Sequence, residues 1–277
     1  MAQIICIANQ KGGVGKTTTA INLSAALAVS EKRTLLVDCD PQANATTGVG
    51  IDKSAIDKTL YHGIIHATGA KSLIVDSDIE TLKIIPSRVE LIGFEVEMMS
   101  NPEREMALKH LLKELETSFD YIILDCPPSL SLLTINAMTA AHSLLIPLQC
   151  EFYALEGLGQ LLRTVKRIKR RLNPNLKIGG ILLTMFDTRT NLSRQVAEDA
   201  EKYFKHLLFK TTVPRNVRLG EAPSFGKPIL LYDASSLGSL SYFSLAKEII
   251  NRYSRPGLKR LRAENSKGFD RSYEGIS

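Results

Sequence analysis

A glycine-rich stretch near the start of the chain constrains its fold more than any other feature. Residues 9–19 read Asn-Gln-Lys-Gly-Gly-Val-Gly-Lys-Thr-Thr-Thr, and they lie between a short apolar run and a helical pattern. A strand, a glycine loop and a helix in this order form the setting in which backbone N–H groups enclose a polyphosphate. We expect the N–H groups from Gly13 to Thr17 to point at the phosphates. Lys16 would then reach the β- and γ-phosphates, and the Thr17 hydroxyl would ligate Mg²⁺.

Acidic residues follow two other apolar runs. Asp38 and Asp40 close one run, and Asp125 closes another, directly before two prolines. Because the carboxyl ends of parallel strands share one edge of a sheet, these acids and the glycine loop should meet there. Asp125 is expected to hold Mg²⁺ directly or through a water, with a helix N-cap as the alternative. The pair at 38 and 40 is expected to be catalytic, with simple turn residues as the alternative.

Strand and helix patterns alternate to about residue 253 without a gap that resembles a linker. We therefore predict an α/β fold: a single-domain, doubly wound, mostly parallel sheet of the P-loop NTPase type. The predicted domain covers residues 1–253, and a basic, flexible C-terminal tail covers residues 254–277. The whole chain carries a net charge of +6, and from residue 255 onward six Lys or Arg face three Asp or Glu. A surplus of this size favours an anionic partner.

The four cysteines lie in or beside apolar runs and form no C-x-x-C pair. This placement favours buried, reduced thiols and argues against an iron–sulfur cluster held between subunits. The chain shows no signal-peptide pattern and no apolar run long enough to span a bilayer. The expectation is a soluble, cytoplasmic protein.

The glycine loop departs from the common G-x-x-x-x-G-K-[ST] pattern, since Gln10 stands where the first glycine is expected and Lys11 follows it. The form K-G-G-x-G-K-T resembles the deviant Walker A loop of the ParA/MinD class of ATPases. This resemblance implies that Lys11 crosses a dimer interface to the nucleotide of the other subunit; a solvated surface lysine is the alternative. The residues implied to bind ATP are Lys11, Gly12, Gly13, Val14, Gly15, Lys16, Thr17 and Thr18.

Segments at 150–157, 184–191, 213–219 and 221–228 resemble ParA partitioning proteins of the Soj type, and the likeness runs from residue 2 to 253. By this resemblance Asp40 orients or activates the attacking water, and Asp38 supports the Mg²⁺ shell.

Two further groups of residues take their roles from the resemblance alone. Met185, with Pro214, Arg215 and Asn216, would wall the adenine. Arg189 and Arg218 would contact DNA once a dimer forms, although spacing alone shows only two loops that carry arginines. Ordinary solvated arginines are the alternative at both positions.

The implied activity is a weak, Mg²⁺-dependent ATPase that acts in DNA segregation. ATP binding would form a homodimer that holds double-stranded DNA nonspecifically and associates with the nucleoid. Hydrolysis, stimulated by a ParB-type centromere-binding protein, would release it. One alternative is a MinD-like ATPase at a membrane surface, but the tail offers only Leu258 and Leu261 as apolar anchors. The other is a reductase or an ATP-dependent ligase on the same scaffold.

One basic run is left open. Residues 163–171 contain six Lys or Arg, and the apolar residues among them fit the buried stripe of a helix. The charges therefore form the outer face of that helix, and either a solvated face or an auxiliary DNA contact fits the pattern.

Overall fold

The computed structural model describes residues 1–254. Their sheet has seven strands in the order β3-β4-β2-β5-β1-β6-β7. All neighbouring strands run parallel except β3 and β4, which confirms the predicted mostly parallel sheet. The strands are β1 Gln3–Ile7, β2 Thr34–Asp38, β3 Val75–Asp76, β4 Leu82–Ile85, β5 Tyr121–Asp125, β6 Ser143–Gln149 and β7 Lys177–Thr184.

Helices connect the strands. They are α1 Lys16–Val29, α2 Asn44–Gly48, α3 Leu60–Ile65, α4 Phe94–Glu97, α5 Ala107–Lys113, α6 Leu132–Ala140, α7 Ala154–Arg171, α8 Asn191–Phe204, α9 Val217–Glu221, α10 Ile229–Tyr232 and α11 Leu237–Ser254. Short 3-10 turns occupy Lys53–Ala55, Ala70–Leu73, Val89–Gly93 and Ala222–Phe225.

The central strands are buried on both faces. Along β1, Ile4 and Cys6 join the core under α5, α6 and α7, whereas Ile5 and Ile7 join the core under α1 and α11. The continuous apolar runs of the sequence follow from this double covering, because side chains on both faces of the strand must be apolar. The glycine loop follows β1 at the carboxyl edge of this rigid sheet.

The structure corrects three details of the sequence prediction. The sequence pattern over residues 103–116 predicts one helix, but α5 covers only Ala107–Lys113. At its start the Asn136 side chain accepts a hydrogen bond from Leu108 N at 3.2 Å and donates to Arg104 O at 2.7 Å. The strand expected to reach Asp40 ends at Asp38. The sequence prediction also missed β3. Of the expected tail, all but the first residue, which ends α11, lies outside the described residues.

Asn173, which follows α7 in the chain, forms hydrogen bonds through its side chain to the end of α6. Its Nδ2 lies 3.1, 3.1 and 2.8 Å from the carbonyl oxygens of Met138, Thr139 and Ala141, and its side chain is buried. These carbonyls are the ones that a helix end leaves without a backbone partner.

We therefore expect Asn173→Ala to lower the free energy of unfolding by about 1–3 kcal/mol, because buried carbonyls lose their donor. The midpoint of urea unfolding measures this change. Asn251→Ala, at an exposed position of α11, is the matched control. Equal midpoints for the two variants would contradict the role of the buried amide.

Candidate functional site

The loop between β1 and α1 has the backbone geometry of a phosphate cradle. Gly13 and Gly15 have φ angles of 72° and 85°, which side chains with a Cβ rarely adopt. A Cβ placed on Gly12 or Gly13 would meet no atom within 4 Å, so this side of the loop is open. Lys16 begins α1, whose first turn contains no acidic residue. The positive end of the helix is therefore available to an anion.

Contacts from distant strands hold the loop in place. Asn9 Nδ2 donates to Pro147 O at 2.7 Å, and Asn9 Oδ1 accepts from Lys11 N at 3.1 Å. The Thr184 hydroxyl, at the end of β7, donates to Val14 O at 2.9 Å. Sequence analysis singled out neither Asn9 nor the Thr184 hydroxyl for this role, since their partners lie far away in the chain. The loop is preorganised by these bonds, not shaped by its glycines alone.

The two lysines of the loop have different environments. Lys16 is 6% exposed, and its Nζ donates to Lys11 O at 2.9 Å, which folds it back across the loop. Burial lowers the pKa of Lys16, while Asp125, Cys126 and Asp40 oppose that shift. Lys11 is 42% exposed, and its Nζ forms an ion pair with Glu151. Lys11 can therefore reach a second molecule only by leaving Glu151.

Asp38 and Asp125 are adjacent residues of neighbouring strands, paired in the register of β2 and β5. Asp38 is fully buried and accepts hydrogen bonds from Asp40 N at 3.1 Å, from Thr46 N at 2.8 Å and from the Thr46 hydroxyl at 2.7 Å. Burial raises the pKa of Asp38 to about 6, and these hydrogen bonds limit the rise. With three bonds already accepted, this carboxylate suits a supporting position beside a metal site better than a direct ligand.

Asp125 has the opposite surroundings. It is fully buried, and neither of its carboxylate oxygens has a hydrogen-bond partner at standard geometry among the described residues. Burial first, and then the charge of Asp38, raise the pKa of Asp125 well above its usual value, against the nearby Thr17 hydroxyl and Lys16. An orphaned carboxylate next to a hydroxyl is the hard oxygen donor set that Mg²⁺ prefers. Thr17 and Asp125 therefore fit the predicted metal site.

Asp40 lies beyond the end of β2, in a turn that leads to α2. It is 8% exposed, its Oδ1 accepts from Gln42 N at 2.9 Å, and its carbonyl accepts from Ala43 N at 2.9 Å. Ala43 has a φ of 54°, and such strain at non-glycine residues clusters at functional sites. Oδ2 of Asp40 has no hydrogen bond with a described residue, so one oxygen remains for a ligand or water.

The segments expected to hold a base lie side by side. Phe186 N donates to Val213 O at 3.0 Å and Arg215 N donates to Phe186 O at 3.2 Å, which joins the chain after Met185 to Pro214–Asn216. Met185 has a φ of 49°, a strained value for a bulky residue. Since Thr184 bonds the glycine loop, this pair of segments adjoins the phosphate end of the site.

The two arginines expected to contact DNA are exposed but paired with acids. Arg189 donates to both oxygens of Asp187, at 2.9 and 2.7 Å, and this pairing lowers the pKa of Asp187 to about 2. Arg218 donates to Glu221 at 3.0 Å and lies 3.7 Å from Asp233. A phosphate must therefore compete with a carboxylate at each position.

Comparison with known proteins agrees with this geometry. Residues 2–178 match the model of a family described as AAA domain. A chromosome partitioning protein ParA of Myxococcus xanthus is 54% identical over 252 residues, which are 91% of this chain and 89% of the relative. The sporulation initiation inhibitor protein Soj of Bacillus subtilis is 53% identical over 249 residues, or 90% of this chain and 98% of Soj.

A solved structure extends the comparison. A cobyrinic acid a,c-diamide synthase of Mycobacterium smegmatis, crystallised with ADP and magnesium, superposes with a TM-score of 0.81. It is 34% identical, and the match covers 92% of this chain and 96% of the synthase. The described residues 1–254 include no helix that is long and apolar enough to span a membrane.

The orphaned carboxylate leads to a prediction of pH dependence. The folded-state pKa of Asp125 is raised above its unfolded value of about 3.9, so its contribution favours the fold at low pH and is lost as pH rises through the folded pKa. We expect Asp125→Asn, which carries no charge, to raise the melting temperature of the ligand-free protein. The rise in melting temperature should be larger at pH 8 than at pH 5. Each kcal/mol of free energy that the buried charge costs the wild type corresponds to about 2–4 °C.

Thermal unfolding at the two pH values measures the effect, with the exposed Asp78→Asn as control. The assigned environment of Asp125 would be wrong if its variant melted at or below the wild-type temperature at both pH values.

Proposed function

Since this chain belongs to the ParA/Soj family of chromosome-partitioning ATPases, we propose that it binds ATP with Mg²⁺ and pairs with a second copy across the nucleotide. In that paired state it holds double-stranded DNA nonspecifically, and hydrolysis releases it. A ParB-type centromere-binding protein bound to DNA would stimulate the hydrolysis.

One observation carries the nucleotide part of this proposal: the open glycine loop stands beside the orphaned carboxylate of Asp125. The loop N–H groups and Lys16 neutralise the phosphates, and Gly12, Gly13, Val14, Gly15 and Thr18 complete the cradle. Thr17 and Asp125 would hold Mg²⁺, which would supply neutralisation of the phosphate charge. The strained Met185 segment and Pro214–Asn216 would wall the adenine.

Hydrolysis needs a water in line with the bond between the γ-phosphorus and the oxygen of ADP. The unpaired oxygen of Asp40 stands at the same sheet edge as the loop, and we assign it to that water. The water oxygen bonds to phosphorus as the bond from phosphorus to the ADP oxygen breaks, and Asp40 accepts the proton that the water loses. Lys16, already turned across the loop, stabilises the charge that moves onto the phosphate oxygens.

Lys11 supports the pairing of two copies. It is the exposed lysine of the loop, and its ion pair with Glu151 is exposed and therefore weak. A partner's triphosphate carries more charge than one carboxylate and would take Lys11 from Glu151. Lys11 would then complete the site of the other subunit, so that pairing and catalysis depend on each other.

DNA binding follows from the pairing. Two copies place two sets of Arg189 and Arg218 on one assembly, and these sets together can outcompete the internal carboxylates for phosphates. The contacts are to the DNA backbone, so affinity should depend steeply on salt and little on sequence.

The alternatives find less support. All four cysteines are buried, which argues against a cluster shared between subunits. The fold is shared with the cobyrinic acid a,c-diamide synthase, yet the ParA and Soj relatives, both more than 50% identical, have partitioning or sporulation names. The tail on which a MinD-like membrane function would depend lies outside residues 1–254.

The proposal is tested by measuring binding to a labelled DNA duplex with ATP, with ADP and without nucleotide, always with Mg²⁺. The wild type should bind much more tightly with ATP, and Lys16→Ala should show no response to ATP. Asp40→Asn keeps the oxygen that caps the turn at Gln42. It should bind ATP, form a stable dimer and hydrolyse about 100-fold more slowly.

Two results would contradict these roles. Hydrolysis by Asp40→Asn at the wild-type rate would exclude Asp40 as the residue that positions water. A variant that remains monomeric in light scattering with saturating ATP and Mg²⁺ would exclude nucleotide-dependent pairing.

The two paired arginines give a separate prediction. Arg189→Gln combined with Arg218→Gln should weaken DNA binding in ATP by about ten-fold, with each lost phosphate contact reducing the salt slope by about 1. ATP hydrolysis without DNA should not change. Arg33→Gln is the matched control, because Arg33 is also exposed and paired with an acid, Asp120. Similar DNA affinity in the double variant and in this control would remove both arginines from the interface.

A further inference from the structure

The outer face of α7 carries the densest positive charge of the described chain. Six Lys or Arg stand within residues 163–171, and no Asp or Glu occurs from residue 157 to 186. Leu158, Leu161, Leu162, Val165 and Ile168 are buried on the inner side of the helix. Arg163, Arg167, Arg170 and Arg171 are exposed on the outer side, and we call these four residues the α7 ridge.

The ridge differs from six of the eight other arginines in residues 1–254 in having no ion pair with an acid among the described residues. Its four members form no ion pair with a described residue. Elsewhere in residues 1–254, six arginines pair with an acid within 4 Å: Arg33, Arg88, Arg104, Arg189, Arg218 and Arg252. Of these six, Arg33, Arg189 and Arg218 are exposed. The ridge instead places four exposed guanidinium groups without an acid partner among the described residues on one helix, where an external anion can reach them.

Three of the ridge side chains converge. Arg167, Arg170 and Arg171 alone line a surface hollow of about 450 Å³. Guanidinium groups hold phosphates through two parallel N–H bonds, which a carboxylate on the same helix would otherwise occupy. From Arg163 to Arg171 the helix rises by about 12 Å, enough to follow several phosphates of one DNA strand.

The surroundings of the ridge favour DNA over other anionic partners. None of the large apolar side chains that the described residues expose lies within α7. A membrane-surface helix needs such side chains for insertion, and protein interfaces usually contain an apolar centre. Residues 255–277 of this chain carry a positive surplus, so charge does not favour their docking on the ridge.

The ridge also lies away from the nucleotide. α7 begins just after the carboxyl end of β6, beside Glu151, and ends just before the first residue of β7. Its last two turns therefore lie toward the opposite edge of the sheet from the glycine loop. Contacts made there need neither nucleotide nor a second copy.

We propose that the α7 ridge is a second DNA-binding surface, which attaches the backbone of double-stranded DNA independently of the nucleotide state. The proposal shares its ligand class with the proposed function and does not require ATP-dependent pairing. It adds a constant, weak attachment to the nucleotide-controlled contact of Arg189 and Arg218.

The test compares the full-length wild type with Arg167→Gln/Arg170→Gln/Arg171→Gln. Binding to a labelled duplex is measured without nucleotide, with ADP and with ATP, over a range of salt concentrations. The ridge variant should bind about ten-fold more weakly in all three conditions near 0.1 M salt, and its salt slope should fall by about 2 to 3. Both the wild type and the ridge variant should still bind more tightly with ATP than without it.

A charge-matched control removes three exposed lysines elsewhere, by Lys71→Gln/Lys109→Gln/Lys113→Gln. Circular dichroism and ATP hydrolysis without DNA report whether each variant is folded. The proposal is overturned if the ridge variant and the control bind DNA equally, or if the ridge variant loses affinity only with ATP. It is also overturned if the ridge variant loses flotation with anionic vesicles while its DNA affinity is unchanged.

The same assay separates the two proposals. If the DNA affinity of the wild type does not rise with ATP, the proposed function is refuted, while the comparison of the ridge variant with the wild type remains valid. If that affinity rises with ATP but the ridge variant binds DNA as tightly as the wild type, only the ridge proposal is refuted.

Discussion

Two carboxylates, Asp38 and Asp125, are buried side by side at the ends of β2 and β5, and the rest of the site depends on this concentration of negative charge. The buried Lys16 interacts with Asp125. The Asp38 carboxylate accepts hydrogen bonds from Thr46 and from the backbone N–H of Asp40. The Asp125 carboxylate accepts none at standard geometry among the described residues. A buried charge without a partner is costly, so the surroundings of Asp125 favour a proton or a cation at this carboxylate. In the proposed function, a magnesium ion would satisfy that carboxylate and at the same time attract the phosphates bound by the loop. Metal and nucleotide thus stabilise each other's binding.

Ion pairs within the chain occupy the positive groups to which the proposed function assigns dimer and DNA contacts. Lys11 is held by Glu151, and Arg189 and Arg218 are held by acids within a few residues. Each such pair is exposed and individually weak, so one phosphate contact that replaces it gains little free energy. Pairing of two copies would present several phosphates or several arginines at once, and binding would then respond more steeply than with one contact.

The sequence predicted those parts of the site that short patterns encode. The glycine loop, the acids at strand ends and the alternation of strands and helices are all local in the chain, and the sheet geometry then brings them to one edge. The supporting contacts are not local. Asn9 bonds Pro147, Thr184 bonds Val14 and Asn136 caps α5 across 28 residues. A side chain that acts on backbone atoms so far away leaves no spacing to detect. The sequence placed the end of β2 at Asp40 instead of Asp38 for a related reason. The Asp38 carboxylate accepts a hydrogen bond from the backbone N–H of Asp40, and the chain turns there.

The basic run of α7 shows why a charge pattern alone leaves its meaning open. The sequence gives six positive residues in nine, and both a solvated face and a DNA contact predict that arrangement. The described structure adds a comparison, because the exposed Arg33, Arg189 and Arg218 each have an acid beside them, whereas the four ridge arginines have none among the described residues. If the ridge holds DNA at the edge of the sheet opposite the nucleotide, hydrolysis would release only the contacts on the nucleotide side. The protein would then remain loosely attached after hydrolysis and could rebind ATP close to the site it left.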